Sequence, residues 1–225
     1  MWQIFPTKGI KTHDAPPNRR REGGRYAKKQ LTRTARVILL GGLLAFLTVA
    51  AQAQSIWTGE KDDFDDKKSW DGGDPNSSEI GEFTTNANGT TGTTDPIVDK
   101  DVSVGGLLFT SGTANWTFTG DPGKKGDDTQ VLTIGSSGIV SNATSTQTFT
   151  GANLGLALGA ATSFTSNSSG ALNFNSTLTG INNNGNLLTL NGSSTNSSNQ
   201  IGTVISGTGG LTKSGTGTWA LSGAN

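Results

Sequence analysis

Glycine punctuates the closing stretch of this chain so often that only very short strands fit between the breaks. Residues 205–225 read ISGTGGLTKSGTGTWALSGAN, with Gly207, Gly209, Gly210, Gly215, Gly217 and Gly223 separating the β-prone tokens. Glycine permits positive φ and tight corners at little steric cost. Short strands that turn repeatedly predict a β-solenoid rather than a compact enzyme core.

The same token recurs upstream. Apolar–x–apolar, then a small polar residue, then glycine, spans residues 116–120, 188–192 and 219–223. Leu132-Thr133-Ile134-Gly135 is a shorter form, and Phe149-Thr150-Gly151-Ala152-Asn153 echoes Leu221-Ser222-Gly223-Ala224-Asn225. Trp116-Thr117-Phe118-Thr119 alternates apolar and polar residues with period two, as a half-buried strand does. The spacing between copies is irregular, so each coil carries a loop of its own. No helix-period pattern of useful length follows residue 53.

Charge divides the chain in two. Residues 1–53 hold ten Lys/Arg against Asp14 and Glu22, whereas residues 54–225 hold seven Lys against fifteen Asp/Glu. The net charge of zero is the sum of +8 and −8. A basic stretch ending at Arg36 leads into an apolar run over 37–47, and Ala51-Gln52-Ala53 has the small–x–small form of a secretory cleavage site. The fifteen residues 37–51 fall short of the roughly 20 that span a bilayer. A cleavable signal peptide ending at Ala53 is therefore expected, with secretion or display at the outer cell surface.

Residues 54–225 contain no Cys, His, Arg, Tyr or Met. This removes disulfides, thiolate or imidazole metal cages and Ser-His-Asp or Cys-His catalysis. An acidic chain without arginine should also repel nucleic acid. Gly, Thr, Ser and Asn make up 95 of these 172 residues. Disorder is one outcome of such a composition. Against it stand apolar tokens such as Leu107-Leu108-Phe109, Leu154-Gly155-Leu156-Ala157-Leu158 and Leu187-Leu188-Thr189-Leu190. Stacked coils bury these in a shared core and satisfy the backbone between neighbours. For the runs 181–185 and 193–199, rich in Asn and Ser, solvent loops and side-chain ladders both remain open.

Three sets of side chains invite sharper readings. Asp62, Asp63, Asp65, Asp66, Asp71 and Asp74 could gather calcium ligands, but their spacing matches neither an EF-hand loop nor the calcium-binding nonapeptide, and a solvated acidic loop is the expectation. Asp127 and Asp128 could be the paired carboxylates of a polysaccharide hydrolase. They sit in a turn, and no Asp or Glu follows Asp128 to form an opposing wall. Trp57, Trp70, Trp116 and Trp219 could stack on sugars, but core packing and coil capping are the first expectation for such aromatics. The sequence thus assigns no catalytic, cofactor-binding or metal site, and no cofactor.

Residues 207–225, GTGGLTKSGTGTWALSGAN, resemble the autotransporter-associated β-strand repeat, also called the passenger-associated transport repeat. Trp219 stands where that family has a smaller aliphatic residue, which implies a roomier coil interior. Upstream, Trp57-Thr58-Gly59, Trp70 and Val102-Ser103-Val104-Gly105-Gly106-Leu107-Leu108-Phe109 are similar to the head of such proteins. The resemblance implies an all-β, right-handed parallel β-helix on a secreted or surface protein. Family members continue past the Asn with further repeats, so the sequence reads as interrupted at Asn225, with no strand series for an outer-membrane barrel.

The expected organisation is a leader and signal peptide over 1–53, a loop-rich cap over 54–99, and a solenoid over 100–225 ending in the repeat at 205–225. The expected role is that of a non-enzymatic passenger, structural or adhesin-like, meeting extracellular polysaccharide or cell-surface components. A carbohydrate-binding or carbohydrate-active β-helix is the alternative.

Overall fold

A computed structural model describes residues 52–84, 94–124 and 128–224. The expected signal peptide lies outside these residues apart from Gln52 and Ala53, as do Asp127 and Asn225. The described residues form seventeen strands and one short 3-10 helix, with no α-helix. They build a β-solenoid of about six turns.

Three ladders run along the stack. The first joins the N-terminal halves of β5 (Val102–Phe109) and β7 (Gln130–Ser141) to β9 (Leu154–Leu158), β12 (Gly180–Asn182) and β15 (Ile205–Ser206). The second starts with β1 (Gln54–Trp57) and β3 (Ile80–Phe83). It continues through the C-terminal halves of β5 and β7 to β10 (Thr162–Ser166), β13 (Leu188–Gly192) and β16 (Leu211–Lys213). The third stacks β4 (Ile97–Val98), β6 (Trp116–Gly120), β8 (Gln147–Phe149), β11 (Leu172–Phe174), β14 (Gln200–Ile201) and β17 (Ala220–Leu221). All these pairings are parallel. The exception is β2 (Trp70–Asp71), which runs antiparallel to β1 at the N-terminal end of the stack.

Parallel rungs are thus already present within 54–99, in β1, β3 and β4. Two long strands turn a corner without breaking. Val104 pairs with Ile134, but Gly106 pairs with Gly138. The two extra residues on β7 make a bulge, which bends a strand and lets it serve two faces.

The narrow core follows from period-two alternation. In β6, Trp116 and Phe118 are buried while Thr117 and Thr119 are half-buried. Parallel register then places like residues above one another. Leu132, Leu156, Ile181 and Ile205 form one apolar ladder. Phe118, Phe149 and Phe174 form another, with ring centroids 4.6 and 5.0 Å apart and planes within 18° and 14°. Each such ring contributes roughly 1.5–3 kcal/mol by leaving water.

The Asn- and Ser-rich runs divide between both open alternatives. Asn182 and Asn184 are exposed, but Asn183 is buried and spans two coils. Its Oδ1 accepts from the Gly209 N–H at 2.9 Å, and its Nδ2 donates to the Gly209 carbonyl at 3.0 Å. Asn199 is fully buried and accepts from the Leu172 N–H at 2.9 Å. These amides satisfy backbone at a corner, Gly209, and at the start of a strand, Leu172.

Trp219 does not fill a roomier interior. It is half-buried at the margin of the core, where its Nε1 donates to the Asn191 carbonyl at 3.0 Å. The strands of the closing motif, β16 and β17, are exposed on the last described coil.

Candidate functional site

The charged run over 60–68 is not a uniformly solvated loop. Phe64 in its middle is 1% exposed and packs among Trp57, Trp70 and Phe118. The Trp70 indole donates to the Phe64 carbonyl at 2.6 Å. Short bonds tie the same segment to β4. The Phe64 N–H donates to the Ile97 carbonyl at 2.8 Å, and the Ile97 N–H donates to the Asp62 carbonyl at 2.6 Å. Asp63 and Ile97 form an isolated parallel bridge.

This anchoring decides where the acids go. Residues 63–66 form a turn, in which the Asp66 N–H donates to the Asp63 carbonyl at 3.3 Å and the Asp65 N–H donates to Oδ1 of Asp63 at 3.2 Å, so the two carboxylates are held together. With Phe64 in the core, Asp63 and Asp65 meet Asp99, which follows β4. One carboxylate oxygen from each of the three lies within 4.8 Å of the others. Lys100 pairs with Oδ2 of Asp65. Oδ1 of Asp65 and Oδ1 of Asp99 are both buried without a hydrogen-bond partner. Burial first, and then the neighbouring Asp63 carboxylate, push the Asp99 carboxyl above its ordinary value, with Lys124 pulling the other way.

The sign of that shift gives a prediction. A carboxyl whose pKa is raised by folding weakens the fold as pH climbs from the ordinary value through the raised one. In metal-free buffer, Asp99→Asn should therefore raise the denaturation midpoint at neutral pH, and the gain should shrink on acidification. A midpoint that falls at neutral pH would contradict it.

The remaining candidates separate. Asp66 caps the 3-10 helix Lys67–Ser69 through the Lys68 N–H, Asp62 and Asp71 are exposed, and Asp74 lines a groove of about 240 Å³ beside Asp65 and Lys100. Asp128 is exposed, and Asp127 lies outside the described residues. Trp57, Trp70 and Trp116 are 1–4% exposed and offer no face to a sugar. Asp99 escaped the sequence reading because 34 residues separate it from Asp65. Only the 22-residue pairing of Ile97 with Thr119, and the docking of Phe64 onto β4, place it beside the loop.

A groove of about 230 Å³ on the first ladder, lined by Thr129, Val131, Ala157, Thr179 and Asn182 among others, holds no titratable group. Comparison with known proteins gives no match to a family model, to a curated protein or to a solved structure.

Proposed function

We propose that this chain is a secreted or cell-surface passenger with a structural, adhesin-like role. The observation that carries the proposal is the solenoid of about six turns, joined in sequence to a segment with the form of a signal peptide. A stiff stack of coils holds side chains at fixed spacing along its length. Here the outward positions are largely Thr, Ser and Asn, so the faces suit many weak polar contacts with extracellular polysaccharide or cell-surface components. The absence of His, Cys, Arg and Tyr from 54–225 leaves few groups for chemistry. Right-handed winding and membership of the passenger-repeat family belong to the same proposal.

Expression of the full chain in a secretory host tests it. The exported product should begin at Gln54 and should be retained on intact cells or on immobilised polysaccharide. A product that keeps residues 1–53 inside the cell would overturn export. Shortening of an acidic polysaccharide that is lost in Asp128→Ala would replace the structural role with a hydrolytic one.

A further inference from the structure

We propose that Asp63, Asp65 and Asp99 bind a single divalent cation of the calcium type, which ties the 60–69 loop to the first coil. This departs from the sequence expectation of a solvated acidic loop, and it stands whether or not the passenger role does.

The three oxygens are close enough to share one ion. Calcium takes oxygen ligands at about 2.3–2.6 Å, so two oxygens on opposite sides of it lie roughly 5 Å apart. The three carboxylate oxygens here all lie within 4.8 Å of one another. Among the described residues, no other group of three metal-ligating side chains comes so close.

A second observation is independent of that clustering. The Asp65 side chain is only 8% exposed, and its Oδ1 has no hydrogen-bond partner. Oδ1 of Asp99 is likewise buried without one. A buried anionic oxygen is costly unless a donor or a cation faces it. Lys100 takes Oδ2 of Asp65 and is itself mostly exposed. It neutralises one of three negative charges and leaves a net −2, the complement of a divalent ion.

Ligand chemistry narrows the ion further. The donors are all carboxylate oxygens, which suit hard cations rather than zinc or copper. Magnesium keeps several of its waters and demands a near-octahedral shell. Calcium accepts irregular, partly dehydrated shells, and extracellular calcium modules work at about 10⁻⁴–10⁻³ M.

The test uses the full chain, freed of metal with chelator and titrated with calcium chloride. The thermal midpoint should rise saturably with one-site behaviour, by roughly 5–10 °C when calcium reaches 100 times its Kd. The rise should vanish in the double variant Asp65→Asn with Asp99→Asn and persist in Asp74→Asn. An unchanged midpoint up to about 10 mM calcium, well above the extracellular range, would overturn the site. So would an equal rise in the double variant, and an equal response to magnesium would overturn the assignment to calcium. Terbium provides a readout on the unmutated chain if the double variant does not fold. Trp57 and Trp70 pack on Phe64, so bound terbium should show tryptophan-sensitised emission that calcium displaces. Emission that is absent, or that calcium leaves unchanged, would count against the site.

Discussion

Phe149→Ala is expected to remove roughly 3–5 kcal/mol of stability, the range for truncating a buried aromatic to alanine. Phe149 is fully buried at the centre of the third ladder. Its ring lies 4.6 Å from Phe118 below and 5.0 Å from Phe174 above, and Phe174 stacks in turn on Phe164 at 4.7 Å. Neighbouring strands are hydrogen-bonded through their backbones, so the walls cannot close over the missing ring, and the cavity cost stays high. A second consequence is particular to stacked coils. Their stability is close to a sum of coil terms and nearest-neighbour terms. A weak interface in the middle lets the two halves melt separately. Urea denaturation followed by circular dichroism should show an earlier midpoint and a broader transition. Leu187→Ala, at a side chain 44% exposed, should move the midpoint by no more than about 0.5 kcal/mol equivalent. Equal effects at the two positions would mean that the aromatic ladder is not a principal source of cohesion.

How far the sequence discloses this fold depends on the range of the information. The all-β class and single strands are local properties. Alternation over Trp116–Gly120 and the apolar token over Leu188–Gly192 mark β6 and β13 directly. The division into three faces is not local. Gln54 pairs with Ile80 and Ile80 with Gly106, each 26 residues on, but Gly106 pairs with Gly138 across 32 and Ile201 with Leu221 across 20. Loops of unequal length hide a repeat that is regular only in space. The corner in β7 is equally hidden, because the apolar token marks only its first half, Leu132-Thr133-Ile134-Gly135, as a strand.

The site was less legible than the fold for the same reason. Acidic residues over 60–74 were visible, but nothing in their spacing separates Asp63 and Asp65 from Asp62 and Asp66. One apolar residue makes the distinction. Phe64 enters the core, and its neighbours are turned together toward β4 and Asp99. An isolated aromatic in a charged run is thus the signal that could have found the site. The buried Asn183 and Asn199 show the converse, since identical neighbours such as Asn182 and Asn184 stay in solvent. Which amide turns inward is set by the register of the coil, not by residue type.

Gly192→Ala should cost roughly 3–5 kcal/mol, combining backbone strain with forced displacement of a neighbouring coil. Gly192 ends β13 and closes one copy of the recurring token. Its φ of +110° lies where side chains other than glycine's are strongly disfavoured. A Cβ at this position would also fall 1.9 Å from the Ser166 carbonyl oxygen of the preceding coil. Both obstacles are backbone, so no rotamer change relieves them. Gly120, which closes another copy of the token, meets the second obstacle alone. A Cβ there would lie 2.5 Å from the Asn153 backbone, at a φ outside the left-handed region. Gly120→Ala should therefore destabilise less than Gly192→Ala, because its backbone clash is shallower and no conformational strain is added. Denaturation midpoints of the two variants provide the comparison. If Gly192→Ala left the midpoint within about 0.5 kcal/mol equivalent, the ordinary range for surface changes, close coil-to-coil approach could not be the reason that glycine ends the token.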